Sequence, residues 1–359
     1  MRISNLDKII ANLSDLYYEN GYNRYNMSKF EEYELYARNK DFLISENVLT
    51  FTDVSGKLMA LKPDVTLSII KNASGIADIS KVYYDESVYR VAKGSNSFRE
   101  IRQLGLECFG NVDDYMIAEV IKLATLSLEK ISNDCYLSVS NMDILTGILD
   151  ADGVSSAGIR EILAAIGNKS MHEMELLCQK NNVSESSIEL LRKLVGTYGK
   201  AANVLAELET ILGQNEAFIK LRNVVSAIGS EKINIDFSVV SDISYYNGIV
   251  FKGYVMGVPE SVITGGQYDK LMKRLHRTDR ALGFALYVDA LEFLSDDNSG
   301  LDADVVIKYD DNAPIGLVIK TADEAKSSAN RVSVLKEIPE GFKYTKLIEI
   351  KGEKVTTDA

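Results

Sequence analysis

The first 22 residues of the chain show a helical pattern of hydrophobic and polar positions. Apolar side chains recur there every three or four residues, which is typical of a helix with one buried face. Ser4 is a candidate N-cap, and Gly21 is a candidate end because glycine readily ends a helix in the left-handed conformation. The pattern therefore predicts an N-terminal amphipathic helix.

From about residue 41 to residue 135 the pattern changes to short alternations of apolar and polar residues, separated by turn residues. Such alternation predicts strands that bury one face. The predicted elements are two strands around a turn at Ser55-Gly56, a helix after Pro63 capped by Asp64 or Thr66, two strands joined by Lys93–Ser97, and a helix over 113–131.

Helical spacing returns between about residues 140 and 230, with predicted helix ends at Gly167, Gly196 and Gly213. Strand-like alternation resumes over 233–239 and continues past a bulge or hairpin signal at Asn247-Gly248. Strands before and after a helical insertion predict an α+β fold with helices flanking an antiparallel sheet. The expected boundaries are a core at 1–138 and 231–297, a helical insertion at 139–230, and a small C-terminal α/β segment at 298–359, in which strands at 303–310 and 344–351 flank a polar stretch.

One predicted strand, RQLGLECFG at 102–110, has an unusual polar side. Because strand side chains alternate, its leucines and Cys108 point one way, and Gln103, Gly105 and Glu107 point the other. Two interpretations are open at this stage. This side is either the solvent-facing side of an antiparallel sheet, or a glycine notch in which two polar side chains bind a ligand.

Composition excludes several classes of protein. The formal net charge of −12 makes the chain a poor general binder of nucleic-acid phosphates, and no run of about 20 apolar residues predicts a membrane span. Cys108, Cys135 and Cys178 are far apart in apolar surroundings, which predicts reduced thiols in a cytoplasmic protein. His172 and His276 lack neighbours that would complete a metal site, and glycine-rich phosphate loops are absent, so we expect neither a metal nor a cofactor.

Five segments occur in an order that identifies a family. FTDVSGKLMALKPDVT, VYRVAKGSNSFREIRQLGLECFG, YYNGIVF, GGQYDKL and ALGFALYVDAL together resemble the catalytic core of histidyl-tRNA synthetase. The resemblance covers about residues 1–295 and includes a helical insertion in the expected place. It implies a class II synthetase fold for this part of the chain.

The resemblance also implies a pocket for histidine. Asp64, with Thr66 beside it, corresponds to the group that binds the ammonium; Gln103 helps to hold the backbone end; Glu107 and Tyr246 contact the imidazole. We expect Tyr245 and Tyr246 to face opposite sides of a strand, so that one of them is an ordinary aromatic residue. The full set of expected histidine-binding residues is Asp64, Thr66, Arg90, Gln103, Glu107, Tyr245, Tyr246 and Tyr268.

Residues that act on ATP in the family are replaced. Ser241 occupies the position at which the family has an arginine beside the reacting carboxylate. Ala290 occupies the position of the family's arginine that binds ATP. Further replacements are Ala92, Ser97 and Gln267. Charged groups of this kind usually supply the largest catalytic contribution, and losing one often costs about 10²–10³ in rate. Arg90 is kept, and it either pairs with a carboxylate, meets the ligand or lies on the surface.

A histidine pocket without the ATP-binding groups resembles the regulatory subunit of ATP phosphoribosyltransferase, the first enzyme of histidine biosynthesis. That resemblance implies a non-catalytic chain that activates the short catalytic subunit in a hetero-octamer and makes it sensitive to L-histidine. It also implies a dimer of this chain, although Ser28 replaces the proline of the family's first motif. The alternatives are a divergent histidyl-tRNA synthetase and a stand-alone histidine-sensing pseudoenzyme.

Overall fold

The computed structural model describes residues 5–38, 48–72, 79–91, 97–241, 243, 245–294, 301–329 and 331–358. The chain divides into two compact units, Met1–Leu294 and Ser295–Ala359. The first unit contains every residue of the expected histidine pocket, and each unit is described by itself.

The first half of the first unit follows the predicted pattern closely. Its N-terminal helix ends before Gly21, which has a φ of +83°, whereas Ser4 lies outside the described residues. The elements are α1 (Asn5–Glu19), β1 (Asn23–Arg24), β2 (Phe30–Glu32), α2 (Tyr33–Ala37), β3 (Thr50–Thr52), β4 (Leu58–Leu61), α3 (Val65–Asn72), β5 (Ile79–Val91), β6 (Phe98–Gly110), α4 (Asp114–Ile131) and β7 (Cys135–Asn141).

Helices fill the middle of the unit, and strands return after them. Predicted helix ends at Gly167 and Gly196 are the last residues of two of these helices, and Gly213 follows a third. The elements are α5 (Met142–Ala151), α6 (Ser156–Gly167), α7 (Met171–Lys180), α8 (Glu185–Gly196), β8 (Gly199–Lys200), α9 (Ala201–Leu212), α10 (Glu216–Ile228), β9 (Ile233–Ile235), β10 (Asn247–Val255), β11 (Ile263–Gln267), α11 (Asp269–Arg274), β12 (Arg280–Tyr287) and a 3-10 helix (Val288–Leu294).

Nine strands form one large sheet in the order β1-β5-β6-β12-β11-β10-β7-β9-β8. Its central neighbours are antiparallel, and only the β1–β5 and β7–β9 pairs are parallel. A separate three-stranded sheet has the order β2-β4-β3. One apolar core packs α1, α4 and the middle helices against the large sheet, and a second core lies around α3 and α11. The architecture is therefore α+β, as expected.

Strand β9 is shorter than the alternation over 233–239 predicts. It ends at Ile235 because the carboxylate of Asp236 accepts hydrogen bonds from the amide and the hydroxyl of Ser238, at 2.8 and 2.6 Å. These local bonds satisfy the backbone in a turn instead of in the sheet. The signal at Asn247-Gly248 corresponds to a bulge in β10, where the register shifts and Gly248 has a φ of +57°.

The second unit is a four-stranded sheet with the order β14-β13-β15-β16. The unit is α/β, as expected, and the polar stretch between its two predicted strands contains a helix and a further strand whose positions the sequence analysis did not give. Alanines 322 and 325 form much of the buried face of that helix, and hydropathy detects such small residues weakly. The elements are β13 (Ala303–Tyr309), α12 (Ile315–Ser328), β14 (Val332–Leu335), β15 (Tyr344–Lys351) and β16 (Lys354–Asp358).

Candidate functional site

The polar side of strand β6 is buried. Gln103 and Glu107 are each 2% exposed, because β6 lies between β5 and β12 and is covered on this side by α3 and residues near α11. The interpretation as a solvent-facing side is therefore wrong. Cys108, on the other side of the strand, belongs to the apolar core, as expected.

Two hydroxyl groups from distant parts of the chain donate to Glu107. The Thr66 hydroxyl on α3 lies 2.5 Å from Oε1, and the Tyr268 hydroxyl, directly before α11, lies 2.5 Å from Oε2. Gly283 is opposite Glu107 on β12, and a Cβ atom at that position would lie 1.9 Å from Oε2. The carboxyl group therefore occupies space that only glycine leaves open.

Burial dominates the protonation equilibrium of this carboxyl group. Removal from water raises the pKa of Glu107 to about 8, against the smaller lowering effect of the Thr66 and Tyr268 hydrogen bonds. The nearby charge of Asp64 raises the pKa further. Glu107 is consequently a group whose charge changes near neutral pH, at the centre of the expected pocket.

Asp64 and Arg90 lie together at the start of α3. One carboxylate oxygen of Asp64 accepts from the amide of Leu67 at 2.8 Å, so Asp64, and not Thr66, caps the helix. The other oxygen lies 3.7 Å from Arg90, whose Nε donates to the carbonyl of Pro63 at 2.8 Å. Burial raises the pKa of Asp64, and the charge of Arg90 opposes that shift. Arg90 is 7% exposed, so it is not a surface charge.

Tyr245 and Tyr246 do not face opposite sides, and that expectation was wrong. Their ring centroids are 4.6 Å apart, and the Tyr245 ring lies 5.9 Å from that of Tyr268. The two residues precede β10 instead of belonging to it, so strand alternation does not apply. Burial raises the pKa of both hydroxyls, and the charges of Asp64 and Glu107 add to this shift. Both rings therefore lie in one aromatic cluster, in which the Tyr245 ring also approaches that of Tyr268.

The notch at Gly105 is covered by a side chain that the sequence analysis missed. Tyr84 is paired with Gly105 across β5 and β6, and a Cβ atom on Gly105 would lie 2.5 Å from the Tyr84 hydroxyl. Glycine makes room here for Tyr84, so the expectation of an open notch was wrong. The only sequence signal for the position of Tyr84 was the alternation of β5. Alternation gives the side of the sheet on which a residue lies, but its partner on the next strand depends on the register.

Three of the replaced residues, Ser241, Gln267 and Ala290, are buried or half-buried, and Ser97 is exposed. The carboxamide oxygen of Gln267 accepts from the amide of Ile249 at 3.0 Å and supports the bulge of β10. Ala290 packs against the core, and Ser241 is half-buried. Ala92 lies outside the described residues. Within the described part of the chain, no cluster of three or more His, Cys, Asp and Glu side chains has the geometry to hold a metal ion.

The comparisons with known proteins agree with this geometry. The family model for histidyl-tRNA synthetase matches residues 1–291. A relative from Clostridium acetobutylicum named ATP phosphoribosyltransferase regulatory subunit is 26% identical over 373 residues, covering 98% of this chain and 90% of the relative. A relative of the same name from Alkaliphilus metalliredigens is 27% identical over 297 residues, covering 79% and 75%.

Solved structures share the fold at lower identity. A protein from Bacillus halodurans, described as an ATP phosphoribosyltransferase regulatory subunit/histidyl-tRNA synthetase, has a TM-score of 0.73 at 21% identity, covering 97% of this chain and 94% of that one. A chain of the ATP phosphoribosyl transferase (HisG:HisZ) complex from Thermotoga maritima has a TM-score of 0.63 at 16% identity, covering 80% and 98%. No described helix is long and apolar enough to cross a membrane. Given the match over residues 1–291, the chain belongs to the histidyl-tRNA synthetase family.

Proposed function

We propose that this chain is the non-catalytic regulatory subunit of ATP phosphoribosyltransferase. In this role it activates the short catalytic subunit and transmits feedback inhibition by L-histidine in the first step of histidine biosynthesis. The observation that supports this most is the buried Glu107 carboxyl group with the hydroxyls of Thr66 and Tyr268 on it, combined with serine and alanine at positions 241 and 290 in place of the family's arginines. The names of the curated relatives support the same role.

The pocket contains groups suited to each part of a free histidine. Asp64 is the carboxylate for the ammonium, and Arg90 beside it is a cation for the ligand carboxylate. Glu107, with the hydroxyls of Thr66 and Tyr268, offers acceptors and donors to an imidazole, which has one of each when neutral. Gln103, Tyr245 and Tyr246 complete the set of binding residues that we propose.

Feedback requires that histidine favour one state of the assembly. A ligand shifts an equilibrium only by its difference in affinity for the two states. We infer a hetero-octamer with the catalytic subunit, built on a dimer of this chain, with no further cofactor. The cytoplasm is the proposed location, in keeping with three buried free cysteines.

The first test is thermal unfolding of the purified chain with each of the twenty amino acids, with and without ATP and Mg²⁺. Histidine at 100 times its dissociation constant should add roughly 2.7 kcal/mol to the free energy of unfolding. We expect a shift with L-histidine alone that ATP leaves unchanged and Glu107→Gln removes. Glu100→Gln, an exposed carboxylate on the same strand, is the matched control.

The second test adds the short catalytic subunit and measures ATP phosphoribosyltransferase activity. We expect higher activity in the mixture, inhibited by L-histidine, with loss of inhibition in Glu107→Gln. An unchanged rate on mixing would contradict the regulatory role and favour a stand-alone histidine sensor. Histidine-dependent exchange of pyrophosphate into ATP by this chain alone would instead identify an active divergent synthetase.

A further inference from the structure

Strand β14 forms one edge of the four-stranded sheet in the second unit. It pairs with β13, and no other strand in the described part of the chain lies beside it. Proteins commonly protect such an edge with charges, prolines or bulges, because its backbone groups can pair with another chain. The opposite edge strand, β16, has Lys354 and Asp358 at its two ends. The four residues of β14, VSVL, include neither a charge nor a proline.

The backbone of β14 directs two residues away from the sheet. The Val305 amide of β13 donates to the Arg331 carbonyl at 3.1 Å, so the backbone groups of Arg331 face β13. Because these groups alternate in direction along a strand, those of Val332 and Val334 face outwards. Each of these two residues presents an amide donor and a carbonyl acceptor at the open edge. The edge is therefore a template on which a further strand can pair.

Exposed apolar side chains lie on the α12 side of this sheet. Val334 pairs with Ile307, whose side chain lies in the core under α12, so the side chain of Val334 points to the same side. Val334 is 38% exposed, and Ile315 and Ile319, one turn apart on α12, are 78% and 56% exposed. Together with the outward backbone groups, these side chains indicate a surface that another chain covers.

The two ends of β14 carry opposite charges. Arg331 precedes the strand, and the contact of its guanidinium within this chain is a long one, 3.4 Å from Nη1 to the carbonyl oxygen of Leu301. Lys336 directly follows the strand, and its charge is taken up by an ion pair with Asp311. Glu337 comes next and is exposed, and within the described residues its carboxylate has no ion pair or hydrogen bond. A positive charge at one end and a negative charge at the other are thus available to a partner.

We propose that β14 pairs antiparallel with β14 of a second copy of this chain, which joins two four-stranded sheets into one of eight strands. A strand that pairs antiparallel with its own copy lies on a two-fold axis, so both copies contribute the same residues. With Val334 opposite its own counterpart, Arg331 lies opposite Glu337 of the second copy, and the reverse pair forms as well. A shift of two residues in either direction loses both pairs. Charge complementarity therefore favours a second copy as the partner and selects one register.

The experiment is disulfide cross-linking of the full chain carrying Val334→Cys, with copper phenanthroline as oxidant and non-reducing gels as the readout. In the proposed register the two Val334 Cα atoms are about 5.5 Å apart, which a disulfide can span. The three native cysteines are buried, so they do not compete. Thr357→Cys, at an exposed position on the opposite edge strand, is the matched control. We expect a covalent dimer with Val334→Cys, and with Thr357→Cys only the slow product of random collision.

Charge reversal tests the register in the Val334→Cys background. Adding Glu337→Arg turns both attractive pairs into repulsive ones, so we expect cross-linking to slow by about tenfold at low salt. Adding Arg331→Glu as well recreates the two pairs with their signs exchanged, and we expect the original rate to return. This rescue separates a specific contact from a general effect of charge or folding.

Two results would overturn the inference. If Val334→Cys cross-links no faster than Thr357→Cys, the edge of β14 does not pair with a second copy. If Glu337→Arg leaves the rate of cross-linking unchanged, the charge-complementary register is wrong. Both results would leave the proposed regulatory function standing, because the contact lies wholly within the second unit and the tests of that function measure histidine binding and activation.

Discussion

Replacing Glu107 with glutamine should change how stability depends on pH. The pKa of Glu107 is raised from 4.5 to about 8 in the folded chain, mainly because the carboxyl group is buried. Between these two values the folded state keeps the proton and the unfolded state releases it. The free energy of unfolding therefore falls as pH rises through this window.

The size of the effect follows from the two pKa values. Each pH unit between 4.5 and about 8 removes about 1.4 kcal/mol, and the whole window removes up to about 5 kcal/mol. Below pH 4.5 the contribution is fully present, and above pH 8 it is fully lost. Glutamine cannot ionise, so the free energy of unfolding of Glu107→Gln should lack this slope. Relative to the wild type, the variant should therefore become more stable as pH rises.

The assay is urea unfolding followed by circular dichroism at pH 5, 6, 7 and 8, because the chain has no tryptophan. Subtracting the Glu107→Gln value from the wild-type value at each pH cancels contributions from the groups that do not interact with Glu107 and from the second unit. Glu100→Gln is the control, and its free energy of unfolding should change with pH as that of the wild type does. A difference between the wild type and Glu107→Gln that stays constant from pH 5 to pH 8 would refute the reasoning.

Two further pairs of substitutions test the packing around the site. Gly283→Ala should cost about 1–3 kcal/mol of unfolding free energy, because the new methyl group would overlap the Glu107 carboxyl group and the Leu106 carbonyl. Gly147→Ala in α5 meets open space and should add about 0.5–1 kcal/mol by chemical unfolding. Lys62→Ala should lower the free energy of unfolding by about 3–5 kcal/mol, because Glu86 loses the fully buried ammonium that lies 2.8 Å from its Oε2 atom. Lys57→Ala removes an exposed ion pair with Glu32 and should lower it by less than about 1 kcal/mol. Equal changes in the free energy of unfolding within either pair, measured by chemical unfolding, would contradict these assignments.

Local patterns in the sequence predicted most elements, and the site depended on contacts that such patterns do not contain. The alternation of β6 placed Gln103 and Glu107 on one side, and Pro63 marked the start of α3, because both signals act within a few residues. The position of Tyr84 depends on the register between β5 and β6. The closeness of Tyr245 and Tyr246 depends on where β10 begins, which propensities alone do not fix.

The pair of Asp64 and Arg90 shows a second limit of sequence reasoning. The sequence analysis left a carboxylate partner for Arg90 as one of three alternatives and did not name Asp64. Their 3.7 Å separation follows from the contact of the segment before α3 with β5, where the Tyr89 amide donates to the Lys62 carbonyl at 2.9 Å. The second unit shows a third limit. There the sequence analysis recognised β13 and β15 from their apolar runs and expected an α/β segment, but it did not locate α12, whose buried face includes Ala322 and Ala325.

The two hydroxyls on Glu107 come from residues separated from it by 41 and 161 positions in sequence. Contacts of such long range form late, since each must first overcome the entropy of closing a large loop. The pocket is therefore absent from any partly folded chain in which α3, β6 and α11 have not yet come together. A mutation far from Glu107 that delays this assembly would look like a loss of the proposed histidine sensing, although none of the proposed binding residues had changed.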